Sequence, residues 1–369
     1  MAHKICGIDL GTHSVKASLF VSKLRQFRLV AYREVLLSEF RGQTPEDAFP
    51  PPPPPPAEEL DSANGEASSA DGDGEVPVEP VTTSDIITNA HKQAVKALFS
   101  DRTFKADTVL VALPGSATLV RYLSFPFSDP KKIAPVVGYE LEGQIPFELD
   151  EVAFDHMILE TGRPAQGTET RVLVAAASHR LVKGFLDELE SAGLDPHVAT
   201  IAPVGYGFLG EEHPDELTAV LDVGHEHTNI CILRGKQPVF VRTLSRGGKH
   251  VTRAIANRLD IDEVEAEHIK RREAHIPAGD EVLDARRQAV GEAVKKSMRL
   301  WNLGVRQSIA AATSELNGAP SSVVLCGGGS QLGGLDNHVA KVFGLPVAEI
   351  RRVGITELEG QGPEATLSY

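Results

Sequence analysis

The sequence predicts an α/β protein made of two similar halves that face each other across a cleft. The main observation is a pattern of strand, Asp-x-Gly turn and return strand, which occurs at Ile5–Phe20 and again at Ala219–Leu233. A third strand-like run follows in each copy, at Phe27–Leu37 in the first and at Pro238–Leu244 in the second. A long internal repeat of this kind indicates a duplicated fold and is more specific than either turn alone.

The first turn has the composition of an anion-binding loop. Gly11 lets backbone N–H groups approach an anion closely, because it has no Cβ. Thr12 and Ser14 add hydroxyl donors, and Lys16 adds a positive charge. Asp9 could orient water molecules around a divalent cation. Taken alone, this pattern is more often a plain hairpin turn.

Two further turns strengthen the prediction of a cleft. In the second copy, Asp222 and Gly224 occupy the positions of Asp9 and Gly11. Near the end of the chain, the apolar run at Val323–Leu335 breaks into three glycines before a helix. Such a strand-to-helix turn admits a nucleotide close to the backbone, although alone it is as often a bare turn. The three glycines are Gly327, Gly328 and Gly329.

Composition sets the broad class of protein. A chain of 369 residues with 41% hydrophobic content predicts two domains with real cores. No apolar run approaches the roughly 20 residues needed to cross a bilayer, and the N-terminus does not read as a signal peptide. The protein is therefore expected to be soluble. Its three cysteines fall in predicted strands beside the three turns, which favours buried, reduced thiols over a disulfide or a metal site.

The formal charge of −14 is concentrated in one segment. Between Arg41 and Lys92 there are eleven acidic residues and no Lys or Arg, so the rest of the chain is close to neutral. That balance argues against nucleic-acid binding. Seven prolines at 50–56 precede an acidic stretch with few apolar residues, so 43–83 is predicted to be a disordered insert. A solvated spacer and a proline-rich docking ligand both remain open as roles for it.

Periodicity places the remaining elements around these turns. A helix and then a strand complete a βββαβ unit in the first half, a smaller inserted unit follows, and a long helix dominates the second half. The predicted helices and strands are Ile86–Phe99, Thr108–Leu113, Asp129–Gly143, His179–Ala192, Lys249–Leu259, Glu281–Ser314, Leu335–Phe343 and Leu345–Ile350.

The order of the three turn motifs, DLGTHSVK, DVGHEHT and CGGGSQLGGL, resembles the actin, Hsp70 and sugar-kinase superfamily. Within it, YELEGQIPFELDEVAF at 139–154, VLVAAASH at 172–179 and AGLDP at 192–196 resemble the PilM and GspL cytoplasmic families of type IV pilus and type II secretion machines. The resemblance implies two actin-like, ribonuclease-H-like domains around a nucleotide cleft, at 1–116 and 198–369. It also implies an inserted subdomain at 117–197 that is similar to domain 1C of the cell-division protein FtsA.

The resemblance further implies ATP and Mg²⁺ as ligands. The residues implied to contact them are Asp9, Gly11, Thr12, Ser14, Lys16, Asp222, Gly224, Thr228, Glu267, Lys270, Gly327, Gly328 and Gly329. Among these, Asp9 and Asp222 would hold Mg²⁺ through water. Glu267 and Lys270 match the superfamily's A-E-x-x-K helix, but an ordinary i,i+3 pair on a solvated helix face fits them nearly as well.

The triplet His225–His227 departs from the superfamily pattern. These side chains are bulky, and Glu226 would repel phosphate. ATP binding is therefore expected to be weak or absent, so an occupied cleft and a degenerate, empty one both remain open. His225 and His227 share a strand face, but no third ligand lies nearby in sequence, so a zinc site is not expected.

Three functions compete at this point. The main one is a GspL-like cytoplasmic scaffold of a type II secretion system, which recruits the secretion ATPase. The alternative is a PilM-like type IV pilus assembly protein that binds ATP and a membrane-anchored partner peptide. The third is a small-molecule kinase, for which no catalytic base is found.

The resemblance also implies partners and a location. The expected partners are a secretion or pilus assembly ATPase, inner-membrane assembly subunits and a second copy in a homodimer, and the expected location is the cytoplasmic face of the inner membrane. At most a very weak ATPase activity is expected, with no catalytic residue identified. Because relatives continue past the position of Tyr369, the chain is expected to be truncated there; a GspL-like protein would run on into a membrane helix.

Overall fold

The computed structural model describes residues 2–23, 26–40, 83–100, 102–127, 129–160, 169–210, 216–277 and 284–348. The insert predicted at 43–83 lies outside the described residues except for its last residue, as do 281–283 and the chain after residue 348. The strands are β1 (His3–Leu10), β2 (Ser14–Lys23), β3 (Gln26–Leu36), β4 (Thr108–Leu113), β5 (Leu119–Phe125), β6 (Val152–Glu160), β7 (Thr170–Ser178), β8 (Val198–Ile201), β9 (Leu217–Val223), β10 (Thr228–Arg234), β11 (Gln237–Leu244), β12 (Ser322–Cys326) and β13 (Val347–Ala348). The helices are α1 (Thr83–Ile86), α2 (Asn89–Phe99), α3 (Pro130–Ile133), α4 (Val137–Glu142), α5 (His179–Ser191), α6 (Ala202–Gly205), α7 (Gly248–Leu259), α8 (Glu263–Glu273), α9 (Ala285–Leu316) and α10 (Leu335–Phe343).

The predicted duplication appears as two sheets with the same strand order. The first sheet runs β3-β2-β1-β4-β8, and the second runs β11-β10-β9-β12-β13. In each sheet the first three strands form an antiparallel meander, and the last two join it in parallel. Alternating apolar residues on β1 and β2 face a core that α2 and α5 cover. On the second sheet, α7 and α9 cover the corresponding core.

A third sheet, of order β5-β7-β6, stands beside the two halves. On one face, Val172 and Val174 of β7 pack with residues of α3 and α4. Leu173, which points to the other face, joins the core of the second half. The hydroxyl of Tyr122 on β5 also accepts a hydrogen bond from the backbone N–H of Val241 at 2.5 Å. The inserted unit therefore packs closely against the second half, although the chain enters it from the first.

The expected boundary between the insertion and the second half differs from the observed topology. Helix α5, expected within the insertion, contributes Leu181, Phe185 and Leu189 to the core of the first half. Strand β8, expected to open the second half, pairs in parallel with β4 and forms the edge of the first sheet. The reason is long-range strand pairing, which local periodicity does not encode.

Two predicted helices are interrupted. The helix expected over Ile86–Phe99 breaks before Thr88, which caps α2 by accepting a hydrogen bond from the backbone N–H of His91. The helix expected over Asp129–Gly143 is two short helices, α3 and α4. The long helix begins at Ala285, after the cap residue Asp284, and ends at Leu316.

Within the ranges described, no helix combines the length and the apolar character that a membrane span requires.

Candidate functional site

The turns of the two halves line one cleft of about 580 Å³. That volume lies within the usual range for small-molecule sites. Twelve of the thirteen residues expected to contact a nucleotide line this cleft, from both sheets and from α8. The structure thus brings these twelve residues together at one cleft, and their contact with a nucleotide stays a prediction.

The first turn is held in place from behind. The backbone N–H of Leu37 donates to the carbonyl of His13 at 3.0 Å. The ring of His91, on α2, contacts the carbonyl of Gly11 through Nε2 at 3.2 Å. Ser14 is buried, and its hydroxyl donates to Glu34 at 2.5 Å. These contacts fix the path of the turn before any ligand is bound.

Asp9 lies at the end of β1, where the register pairs it with Lys16. Its Oδ2 is 3.8 Å from Lys16 Nζ. The pKa of Asp9 is raised because surrounding protein limits the solvation of its carboxylate, although 61% of the side chain is exposed to the cleft. The negative charges of Asp222 and Glu34 raise it further, and Lys16 opposes them. Two carboxylates, one from each half, thus repel one another across the cleft. A divalent cation between them would relieve that repulsion.

The second turn is bonded to the helix that follows it. The carbonyls of Gly224 and His225 accept hydrogen bonds from the first N–H groups of α7, at 2.9 and 2.7 Å. Glu226 accepts a 2.5 Å hydrogen bond from Lys249 Nζ. Although burial opposes it, this contact holds the pKa of Glu226 below its ordinary value. Because Lys249 compensates the charge of Glu226, we expect Glu226 to repel phosphate less than the sequence alone implies.

The third turn approaches the second closely. Gly327 has φ +80°, in the left-handed region that glycine adopts without strain. A Cβ at Gly327 would lie 2.3 Å from Asp222 Oδ1 and 2.6 Å from the carbonyl oxygen of Val223. Only glycine fits here, and it places the end of β12 directly against the carboxylate of the second turn.

The A-E-x-x-K pair faces the cleft instead of bulk solvent. Lys270 Nζ lies 2.6 Å from Glu267 Oε2 and 2.9 Å from the hydroxyl of Thr252. Despite burial, hydrogen bonds from Lys270 and Thr252 lower the pKa of Glu267 to about 2. Arg271 also bonds Glu267 and reaches His13 in the first turn, with 2.7 Å between Nη2 and Nε2. Helix α8 therefore bridges the mouth of the cleft.

Thr228 is the one expected contact residue that does not line the cleft. Its hydroxyl is buried, donates to the carbonyl of Arg246 at 2.6 Å and accepts from Trp301 Nε1 at 3.0 Å. Side chains alternate between the two faces of a strand, so Thr228 points away from the cleft while Asn229 points toward it. The expectation of a nucleotide contact for Thr228 is corrected on this ground.

Sequence reasoning missed several residues at the site. His13 and Arg271 line the cleft, as do Asn229 and Thr243. Tyr206 lies behind them and donates a hydrogen bond to Asp222 Oδ2 at 2.5 Å. The alternation of β10 could have identified Asn229, because it is the first strand residue on the same face as Asp222. Nothing local to Tyr206 indicated its contact.

The cleft fits a nucleotide with a divalent cation, as judged from its donor set. Lys16 supplies positive charge for phosphates, and the mutually repelling Asp9 and Asp222 supply oxygen acceptors for a cation. Among the described residues, no group of three or more His, Cys, Asp or Glu side chains is arranged to hold a metal ion directly. A cation here would therefore be held mainly through water and phosphate oxygens, which suits Mg²⁺.

The deciding comparison is with protein families. The model of the family described as type IV pilus assembly protein PilM matches residues 76–358, which is more than half of the chain. The chain belongs to the PilM family. Of the two scaffold functions expected from sequence, this match favours the PilM alternative over the GspL one.

Solved structures similar to this PilM family member agree in fold. A PilM–PilN type IV pilus biogenesis complex matches with TM-score 0.68 and 26% identity, over 93% of this chain and 87% of that one. MreB5 of Spiroplasma citri bound to ADP matches with TM-score 0.50 and 14% identity, over 95% and 92% of the two chains, which shows the actin-like fold alone. The cytoplasmic domain of EpsL, from the type II secretion system of Vibrio cholerae, is a weaker match, with TM-score 0.37 and 12% identity over 97% and 90% of the two chains.

Proposed function

We propose that this protein is a cytoplasmic, nucleotide-binding assembly protein of a type IV pilus machine, docked to an inner-membrane subunit related to PilN. The observation that carries the proposal is the family match over 76–358, together with the likeness to a PilM–PilN complex. We place the protein at the cytoplasmic face of the inner membrane, because its proposed partner is an inner-membrane subunit. Contact with the pilus assembly ATPase and self-association belong to the same proposal.

The cleft supports nucleotide binding as the regulated step. A bound Mg²⁺ would neutralise phosphate charge between the two halves. Asp9 and Asp222 would orient its water, and Lys16 would attract the phosphates. Because the two turns belong to different halves, occupancy of the cleft changes the free energy of bringing the halves together. An assembly protein can use that difference to report its nucleotide state to a partner.

No observation favours phosphoryl transfer. A kinase needs a carboxylate free to act as a base on an acceptor. Among the carboxylates lining the described cleft, Glu226 and Glu267 are ion-paired with lysines, and Glu34 accepts from Ser14. Asp9 and Asp222 are assigned to the cation. The proposed role is therefore binding, with slow or negligible turnover.

Two measurements test the proposal. Mg-ATP or Mg-ADP at concentrations well above Kd should raise the Tm of the wild-type protein, and Asp9→Ala should remove that rise. Separately, the wild-type chain should co-purify with the PilN-related inner-membrane subunit of its own organism when the two are co-expressed. Absence of both effects would refute the proposal, and loss of co-purification alone would refute its assembly role.

A further inference from the structure

Three polar side chains form a row across the second sheet, at the end that borders the cleft. The register pairs Asp222 of β9 with Asn229 of β10, and Asn229 with Thr243 of β11. Directly paired residues point to the same face of a sheet, so the three side chains project together. Thr243 Oγ1 donates to Asn229 Oδ1 at 2.9 Å, and Asn229 Nδ2 donates to Asp222 Oδ2 at 3.3 Å.

Tyr206 covers this row from the segment that joins the two sheets. It begins a 3-10 turn, Tyr206–Leu209, that follows α6 between β8 of the first sheet and β9 of the second. Its ring packs against an apolar cluster of the second sheet that includes Val220 and Cys231. Its hydroxyl donates to Asp222 Oδ2 at 2.5 Å and accepts from Asn229 Nδ2 at 3.2 Å.

The hydroxyl of Tyr206 is well suited to hold a carboxylate. Hydrogen bonds from O–H groups to ionised oxygens are short, and they are roughly twice as strong as neutral ones. The Tyr206 bond therefore holds Oδ2 on the side of the linking segment. The other oxygen, Oδ1, lies beside Gly327 in the cleft lining.

The first half meets the same row. A Cβ at Gly115, in the loop that follows β4, would lie 2.4 Å from Thr243 Oγ1 and 3.2 Å from Asn229 Oδ1. The backbone of one half therefore touches the polar row of the other at its far end, while the linking segment holds the Asp222 end. The direction of the Asp222 carboxylate thus depends on groups from both halves and from the link between them.

We propose that Tyr206 is a positioning residue that turns the Asp222 carboxylate toward the water shell of a divalent cation bound with phosphates in the cleft. This inference rests on the proposed function, because it assumes that the cleft takes a nucleotide with its cation. Removing the hydroxyl leaves, among the described residues, the longer 3.3 Å contact from Asn229 as the hydrogen bond to Oδ2, so the direction of the carboxylate is held less firmly. Loss of such outer contacts typically weakens metal binding about 10–100-fold.

The test compares the Mg²⁺-dependent gain in affinity in the wild type and in Tyr206→Phe. For the full chain, the Kd of ADP and of ATP is measured by calorimetry with Mg²⁺ and again with EDTA. Tyr206→Phe should lose about tenfold of the Mg²⁺-dependent gain, at the low end of that range. Its affinity in EDTA should stay at the wild-type value. A general loosening of the fold would lower both affinities together.

Tyr122→Phe is the matched control, since Tyr122 is another partly buried tyrosine whose hydroxyl bonds the second half, away from Asp222. It should keep the wild-type gain. If Tyr206→Phe folds poorly, Asn229→Ala removes the other donor to Asp222 Oδ2 and should reduce the gain in the same direction. Unchanged gain in a folded Tyr206→Phe, unchanged gain in Asn229→Ala where Tyr206→Phe does not fold, or equal loss in Tyr122→Phe overturns this inference and leaves the proposed function intact. No nucleotide binding by the wild type overturns this inference together with the nucleotide-binding part of the proposed function, whose assembly role is tested separately by co-purification. That result is visible without any variant.

Discussion

The rings of His13 and His225 face each other across the cleft, with 5.0 Å between their centroids and a tilt of 44°. One belongs to the first turn and the other to the second, so the contact joins the two halves where phosphates are expected. The charged groups around this pair are Arg271, Lys270 and Glu267 of α8, Glu34 of β3, and Glu226 of the second turn itself. Burial, together with the neighbouring His13 and Lys270, lowers the pKa of His225 to about 4. Burial and Arg271 also lower the pKa of His13.

The first prediction is that the protein becomes less stable as the pH falls, because of the buried His225 in this contact. The folded-state pKa of His225 lies below its unfolded value, so between about pH 6.5 and 4 the unfolded chain binds more protons. The free energy of unfolding therefore falls as pH falls through that window, by at most about 1.4 kcal/mol per pH unit from this residue. His225→Gln should show a shallower loss in urea unfolding at a series of pH values. His3→Gln, at an exposed position, is the control. Equal slopes in all three proteins would contradict the assignment.

The second prediction concerns the charge balance of the second turn. Lys249→Ala leaves Glu226 with an uncompensated negative charge beside the phosphate position. Repulsion between the Glu226 carboxylate and a phosphate bound nearby in a partly solvated cleft is worth about 1 kcal/mol, so the Kd of Mg-ADP should rise roughly fivefold. Adding Glu226→Gln to the same protein should restore the wild-type Kd. Lys92→Ala, which breaks a surface pair with Glu188, should leave the Kd unchanged. A double variant as weak as Lys249→Ala would show that Lys249 acts in another way.

The third prediction is that Asp9→Asn stabilises the unliganded protein and at the same time weakens the binding of Mg-ATP. The pKa of Asp9 is raised, so its charged form is disfavoured in the folded, unliganded protein. Above its unfolded pKa that cost opposes folding, and the neutral side chain of Asp9→Asn removes it. The variant should therefore have a higher Tm without ligand, and it should lose the Tm rise caused by Mg-ATP. Differential scanning calorimetry with and without ligand measures both. A lower Tm without ligand would mean that the contact with Lys16 outweighs the repulsion.

The fourth prediction tests the contact between the halves at Gly115. A Cβ there would press on Thr243 Oγ1 at 2.4 Å, and Thr243 is held by its bond to Asn229. Overpacking of this kind costs about 1–3 kcal/mol, so Gly115→Ala should lower the free energy of unfolding by that amount. Gly205→Ala, in α6 of the linking segment, adds a methyl group to open space and should have little effect or stabilise slightly. Chemical denaturation of the two variants compares them. Similar values for both would show that the halves do not press on each other at this point.

The motifs of the cleft could be predicted from sequence because each is local. An Asp-x-Gly turn between two alternating runs needs only neighbouring residues to form, and its recurrence 213 residues later indicated the duplicated sheets. Glycine at 327 was also predictable as a turn residue, since few other residues adopt φ +80°. Together with the family resemblance, which pointed to Glu267 and Lys270, these local patterns named twelve residues that line one cleft.

Other features were decided only by tertiary structure. Strand β8 belongs to the first sheet because it pairs with β4 over a separation of about 88 residues, and its own sequence does not specify that partner. The ion pair of Glu226 with Lys249 and the bond from Tyr206 to Asp222 join segments that local patterns treat separately. Thr228 was assigned to the cleft by its motif, but strand alternation and Trp301 placed its hydroxyl in the core. The sequence by itself determined the turns and their repetition, because these depend on local backbone conformation. Which charges are neutralised and which carboxylate is oriented depended on packing between distant segments, because electrostatic and hydrogen-bonding partners are set by proximity in space.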